Sequence, residues 1–116
     1  GKKAAGYAKI RTSNHPDDSN PTPALEIERL YAHKSYLGKR VGHMLMQTCL
    51  AFARKKGFTT LWLGVWENNA RAISFYERNG FVRFGYHTFM LGNDAQTDWL
   101  MKKELLPEAV HKNLIV

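Results

Sequence analysis

"TTLWLGVWENNARAISFYERNGF", Thr59 to Phe81, is the stretch on which the fold turns. Thr59 to Trp66 is a nearly unbroken apolar run of strand length, the pattern of a strand covered on both faces. Asn68 or Asn69 then stands as an N-cap, and Gly80 as a left-handed C-terminal cap, so a short helix lies between with both ends marked. Upstream, Val41, Met44, Leu45, Cys49, Phe52 and Ala53, with Thr48 in the same series, follow the i, i+3, i+4, i+7 spacing of an amphipathic helix closed by Lys55, Lys56 and Gly57. Before that helix, "ALEIERLYA", Ala24 to Ala32, alternates as a strand with Leu25 and Ile27 on one face and Glu26 and Glu28 on the other. Strand, helix, buried strand is a βαβ unit, whose crossover is expected to be right-handed.

Further out, "KAAGYAKIRT", Lys3 to Thr12, contains a strand with Tyr7, Lys9 and Arg11 on one face and Ala8 and Ile10 on the other. "SNHPDDSNPTP", Ser13 to Pro23, packs turn formers together and reads as a loop. "FVRFGYHTFML" and "QTDWLMKKEL", joined by the turn "GND", read as an antiparallel pair. "PEAVHKNLIV" at the end is weakly determined. The class is α/β: a mixed sheet with a βαβ core and a C-terminal antiparallel pair, in one domain spanning residues 1–116.

At 116 residues and 44% hydrophobic composition the chain suits a single compact core. Cys49 is its only cysteine, which excludes an internal disulfide framework and fits a reducing, cytoplasmic compartment. No apolar run approaches the roughly 20 residues of a spanning helix, so no membrane partner is expected. The net charge of +7 raises anionic partners, but the cations are scattered, and "ARKKG", Ala53 to Gly57, sits where cations complement a helix dipole. Nucleic acid is therefore a weak expectation.

"YLGKRVGHMLM", Tyr36 to Met46, is a glycine-bearing turn running into a helix. The unpaired amides at a helix start, with the dipole, attract an anion such as phosphate. Lys39 and Arg40 add charge, and Gly38 and Gly42 permit close approach to the backbone. The same turn could be purely structural, since it matches neither the P-loop nor the G-x-G-x-x-G fingerprint. Asn69 and Tyr76 lie on one face of the second helix, about 10 Å apart along its axis. They are either two grips on one long ligand or a cap and a core tyrosine.

Together these residues resemble the GNAT acetyltransferases, which move the acetyl group of acetyl-CoA to amines. The pattern N-x-x-A-x-x-x-Y-x-x-x-G-F is met by Asn69, Ala72, Tyr76, Gly80 and Phe81, and the resemblance runs from Ala5 to Leu105. "LEIERLY", "WLGVWENNARAISFY" and "LGNDAQTDWLMKKEL" look more narrowly like bacterial spermidine/spermine acetyltransferases of the PaiA type. The family's turn reads Q/R-x-x-G-x-G/A, whereas Leu37 and Arg40 replace its first residue and first glycine here, leaving Gly42 in register. The N-terminal strands and helices of the family are also lacking, so a truncated chain is expected, with an exposed sheet edge suited to a homodimer.

The resemblance implies a mechanism. Two strands, Ala24 to Ala32 and Thr59 to Trp66, splay to admit the pantetheine arm of acetyl-CoA. Backbone groups at Leu30, Tyr31 and Ala32 pair with that arm and polarise the acetyl carbonyl. The turn Leu37, Gly38, Lys39, Arg40, Val41, Gly42, His43 holds the pyrophosphate, and Asn69 binds the arm further along. Tyr76 is the general acid toward the departing thiolate and also touches the cofactor. A primary amine with a pKa near 10.4 is neutral only about once in 2,500 at pH 7, which disfavours reaction by roughly 4.6 kcal/mol without a base. Glu26 and Glu28 are the candidates for that base, or else they attract a cationic amine, a polyamine by the narrower resemblance. A non-catalytic CoA-binding or regulatory module is the alternative. Cys49 falls on the apolar stripe and reads as a core thiol. Trp62 and Trp66 read as packing. His15, His33, His43, His87 and His111 lack ligand spacing, and no metal site is expected.

Overall fold

The computed structural model describes residues 6–13, 23–32 and 40–105. Strand β1 (Gly6–Ser13) and strand β2 (Ala24–Ala32) lead to helix α1 (Val41–Lys55). Strand β3 (Thr60–Trp66), helix α2 (Ala70–Arg78), strand β4 (Val82–Leu91) and strand β5 (Asp94–Glu104) follow. One five-stranded sheet has the order β1-β2-β3-β5-β4. Only β2 and β3 are parallel; the other neighbours are antiparallel. This is the mixed sheet with a βαβ core and a closing antiparallel pair that the sequence implies. The Ser13–Pro23 loop, apart from its two end residues, and the tail from Pro107 lie outside the described residues.

Each element ends where its residues dictate. Asn69 caps α2, its Oδ1 accepting from the Ala72 amide at 3.1 Å. Gly80, at φ 90°, supplies the left-handed step that turns the chain out of α2. Lys103 Nζ donates to the Asn79 carbonyl at 2.7 Å, so a cation closes the negative end of that helix. Between β4 and β5, Gly92 takes φ 62° in the tight turn at the hairpin tip.

Strand β2 carries the feature that shapes the sheet. Arg11 pairs with Glu26 and Ile10 with Ile27, but Lys9 pairs with Arg29, so β2 holds one residue more than β1 at Ile27–Glu28. Such a bulge shifts the in-out alternation by one residue. Leu25 and Ile27 point inward, and the shift turns Leu30 inward as well, where it packs with Ala8 against the core. In strict alternation Leu30 would share a face with Glu26 and Glu28.

Leu25, Ile27, Leu61, Leu63, Val65 and Met101 on one sheet face join Met46, Cys49, Leu50 and Ala53 of α1 and Ile73 and Tyr76 of α2 in one cluster. The buried stripe of α1 differs from the expected one. Cys49 and Ala53 are buried, but Met46 and Leu50 complete the stripe, while Met44 and Phe52 are exposed at 65% and 39%. Apolar residues cover most of this helix's circumference, so periodicity alone does not fix its orientation. The expected Met44, Thr48, Phe52 row instead runs along the outside, with Lys56 Nζ 5.9 Å from the Phe52 ring centre.

Strand β3 also departs from expectation. Its residues alternate: Leu61, Leu63 and Val65 are buried, whereas Gly64 and Trp66 are exposed. Among the described residues no helix covers the second face, and Trp66 is 48% exposed there; Trp62 is half-buried and donates its indole N–H to Ser13 Oγ at 2.9 Å. One-sided burial gives a contrast that urea denaturation can read. Leu63→Ala should lower the unfolding free energy by about 2–5 kcal/mol, and Trp66→Ala by about 1 kcal/mol or less. Equal losses would mean that both faces are packed.

Candidate functional site

The site begins where β2 and β3 part. Their pairing comprises Ala24–Thr60, Leu25–Leu61, Glu26–Trp62 and Ile27–Leu63, and no further pair. Both strands continue, β2 through Ala32 and β3 through Trp66. The last pair sits at the bulge, which bends β2 away just where it adds its extra residue. Beyond it, the side of Glu28–Ala32 that faces β3 carries backbone donors and acceptors without a partner from that strand. A sheet opened in this way can take an extended polar ligand as a strand substitute. Leu30, Tyr31 and Ala32 lie on this free arm.

Helix α1 starts at Val41, just beyond the end of β2 in the chain. Its first residues carry no carboxylate, and Arg40 provides no side-chain cap. The first helical bond runs from the Met44 amide to the Arg40 carbonyl at 3.0 Å, so the amides of Val41, Gly42 and His43 precede the hydrogen-bonded ladder. Unpaired amides at a helix start attract anions in general. Gly42 lies against α2, since a Cβ there would meet the Phe75 ring at 3.5 Å. Leu37, Gly38 and Lys39 lie outside the described residues. Arg40 has φ 63°, the only non-glycine residue with positive φ among those described. The position at which the family pattern has glycine is thus left-handed, and Arg40 bears a strain of about 1–2 kcal/mol.

Tyr76 and Cys49 lie in the common core, at 9% and 4% exposure. The Tyr76 ring meets Phe75 and Phe81 edge-on at 5.5 and 5.7 Å. Burial, then the neighbouring Cys49, raises the phenol above its ordinary 10.0; burial likewise raises the Cys49 thiol above 9.0. Asn69 spends its Oδ1 on the helix cap, which leaves its amide N–H groups as the donors it can offer a ligand.

Glu26 and Glu28 project from β2 toward cations of β1. Arg11 Nε meets Glu26 Oε1 at 2.7 Å and Arg11 Nη1 meets Glu28 Oε1 at 2.9 Å, while Lys9 Nζ lies 3.1 Å from Glu28 Oε2. The hydrogen bond from Lys9 leads the influences that hold Glu28 below the ordinary carboxylate range, with the charges of Lys9, Arg11 and Arg29 adding to it against desolvation. Sequence reasoning placed the two glutamates but not the Lys9–Arg11 ladder facing them; its signal was the alternation of Lys9 and Arg11 on a neighbouring strand.

The sequence matches the model of the Acetyltransferase (GNAT) family over residues 1–81. It is similar to an N-acetyltransferase of Lactobacillus delbrueckii subsp. lactis, called uncharacterized and named for the pepI 3′ region, with 39% identity over 104 residues, 90% of this chain and 60% of that one. The fold is similar to nourseothricin acetyltransferase at a TM-score of 0.71 and 28% identity, covering 88% of this chain and 58% of that one. It is similar also to the NatC complex bound to Gag peptide and CoA, at a TM-score of 0.74 and 17% identity, over 88% of this chain and 62% of that one. The chain spans 60% of the length of that Lactobacillus relative and 62% of an N-acetyltransferase of Mycobacterium bovis that it matches over 90% of its own length.

Two outcomes follow from the site. Arg40→Gly should raise the unfolding free energy by about 0.5–1 kcal/mol, because relief of the left-handed strain exceeds the added freedom of the unfolded glycine; a loss of stability would mean that the Arg40 side chain holds the turn together. Cys49 and Tyr76 are neutral in the fold and ionise more readily when unfolded. Their contribution is therefore complete below pH 9 and should fall as pH rises through the unfolded thiol and phenol values toward the folded ones. Urea midpoints should decline above pH 9, less steeply in Cys49→Ala; identical slopes would contradict the burial of that thiol.

Proposed function

This chain belongs to the Acetyltransferase (GNAT) family, and we propose that it transfers the acetyl group of acetyl-CoA to a primary amine. The observation that carries the proposal is the fork: two parallel strands that stop pairing at a bulge, with the bare amino end of a helix following one of them. Acetyl-CoA fits these residues because it needs two kinds of backbone partner. The Val41, Gly42 and His43 amides, joined by the Arg40 guanidinium, suit its diphosphate. The free side of Glu28–Ala32 suits the amide-bearing arm. Lys39, Gly38 and Leu37 belong to the same turn in this reading.

Bound there, acetyl-CoA supplies a thioester, an acyl group activated toward attack by an amine. A backbone N–H of the Leu30–Ala32 arm donates to the thioester oxygen as negative charge develops on it. Asn69 donates an amide N–H to the arm. Tyr76, kept protonated by burial, donates its hydroxyl to the departing sulfur. Because its pKa lies above 10.0 and a thiol lies near 8.5, complete proton transfer is uphill by more than about 2 kcal/mol. Tyr76 therefore acts chiefly as a hydrogen-bond donor that steadies the thiolate.

The glutamates take a smaller part than the resemblance implies. Glu28, held down by Lys9, is a poor proton acceptor, and Glu26 is engaged by Arg11. In this reading the amine enters in its neutral form, and the proton it sheds on acylation passes to the solvent buffer rather than to Glu26. Neither glutamate draws in a polyamine, because Lys9, Arg11 and Arg29 outnumber them on the same patch. The engaged glutamates also favour a second reading, a module that binds CoA without turnover.

Calorimetry with acetyl-CoA, followed by thiol release against a panel of primary amines, separates the two. The transferase reading expects binding and amine-dependent thiol release; binding with no release for any amine establishes the second reading, and no binding removes both. Tyr76→Phe should lower kcat by about tenfold or more while changing acetyl-CoA affinity little. Unchanged kcat would remove Tyr76 from the reaction.

A further inference from the structure

In the sheet order β1-β2-β3-β5-β4, strand β4 has a neighbour on one side alone among the described residues, and the direction of its free backbone follows from the far side of β5. The Glu67 amide donates to the Thr97 carbonyl at 3.0 Å, so the polar backbone groups of Thr97 face the β3 side rather than β4. In an antiparallel ladder both groups of a residue point the same way, and successive residues alternate. Thr97 stands opposite Thr88 in the register, which makes theirs a pair without mutual backbone bonds. The N–H and C=O of Thr88 therefore face outward, and those of Tyr86 and Met90, two residues to either side, do the same.

The side chains along this edge do not guard it. Edge strands are ordinarily protected by charge, by proline or by a bulge. The other edge, β1, to which the family resemblance points for a homodimer, carries Lys9 and Arg11. In β4 the bulge lies early, between Arg83 and Gly85; beyond it Gly85–Leu91 has no proline, and His87 is its one ionisable residue, mostly neutral at pH 8. Arg83 is folded back, its guanidinium carbon 4.5 Å from the Trp99 ring centre. Tyr86, Met90 and Leu91 are 64%, 61% and 54% exposed. Although the chain carries a net charge of +7, an acidic partner finds little to bind here, and the edge suits a strand as neutral and apolar as itself.

We propose that β4 pairs antiparallel with β4 of a second copy of this chain, about a two-fold axis at Thr88, joining two five-stranded sheets into one. Only a centre at Thr88 engages all the outward groups of the unguarded stretch: Thr88 meets its own counterpart, and Tyr86 meets Met90 in both directions. Side chains directly opposite in such a pair share a face. The same centre sets His87 against Phe89 and Gly85 against Leu91 of the second copy. Aromatic rings then meet sulfur or another ring, and each Leu91 falls where the other strand has no side chain. The contact is isologous and closes at two copies. It lies beyond β5, away from the parting of β2 and β3, and does not depend on the transferase reading.

Sedimentation velocity at pH 8, from micromolar to several hundred micromolar chain, should show the mass rising to twice that of one chain. At the upper concentration hydrogen exchange should slow by about tenfold or more at the amides of Tyr86, Thr88 and Met90 and stay unchanged along β1. Tyr86→Lys combined with Met90→Lys sets like charges opposite each other and should keep the chain monomeric at every concentration; both positions are exposed, so the core is untouched. Thr88→Cys should form a disulfide-linked dimer under mild oxidation, because the two Cα atoms of such a pair stand about 5.5 Å apart, and should do so faster than Tyr7→Cys on the β1 edge. A chain that stays monomeric throughout would overturn the assignment, as would a dimer that survives the two lysines, exchange slowed at β1 instead of β4, or linkage through Thr88→Cys no faster than through Tyr7→Cys.

Discussion

The bulge at Ile27–Glu28 is the constraint on which the rest of the molecule depends. Its cause is a conflict in β2 between period-two geometry and the positions of the apolar residues. Leu25, Ile27 and Leu30 must all reach the core, yet the last two are separated by an odd number of steps. One extra residue resolves the conflict, burying Leu30 at the cost of a bend. At the bend β2 loses β3. The opened backbone leaves the β3-facing groups of Glu28–Ala32 without a strand partner, and the proposed reading gives that place to acetyl-CoA.

Around the fork, function divides by face. On the helix side lie the bare amides of α1, left-handed Arg40 and buried Tyr76, which the proposed reading assigns to the phosphates and the departing thiolate of acetyl-CoA. On the open side, Arg11 and Lys9 engage Glu26 and Glu28 across the β1–β2 ladder, and Arg29 leaves that patch with an excess of positive charge. Burial tunes Tyr76 to retain its proton rather than to surrender it. In the proposed transfer this suits a hydrogen-bond donor to the thiolate better than a proton donor.

Much of the fold was legible in the residues. Asn69 at the start of α2, Gly80 after its end and Gly92 at the hairpin tip each have a local chemical reason, and each stands where that reason puts it. The parallel β2–β3 unit and the β4–β5 hairpin were legible too, because β-α-β spacing leaves few topologies, whereas the pairing of β1 with β2 and of β3 with β5 was not read from the sequence. The misreadings share one origin: sequence periodicity shows that a face is apolar but not what lies against it. Met46 and Leu50 took the core side of α1 rather than Met44 and Phe52, and β3 buried one face rather than two. The bulge was foreshadowed by the uneven spacing of Leu25, Ile27 and Leu30, and the strain at Arg40 by its place in a glycine pattern. Of the candidate turn, Val41 to His43 are described and Leu37 to Lys39 are not.

Amide-resolved NMR during titration with acetyl-CoA tests the account most directly. Binding in the fork should shift and protect the amides of Glu28–Ala32 and of Val41–His43 together, with little change at the β4–β5 hairpin tip around Gly92. Shifts confined to other elements, or saturation without any response from Glu28–Ala32, would contradict a ligand that completes the opened strand.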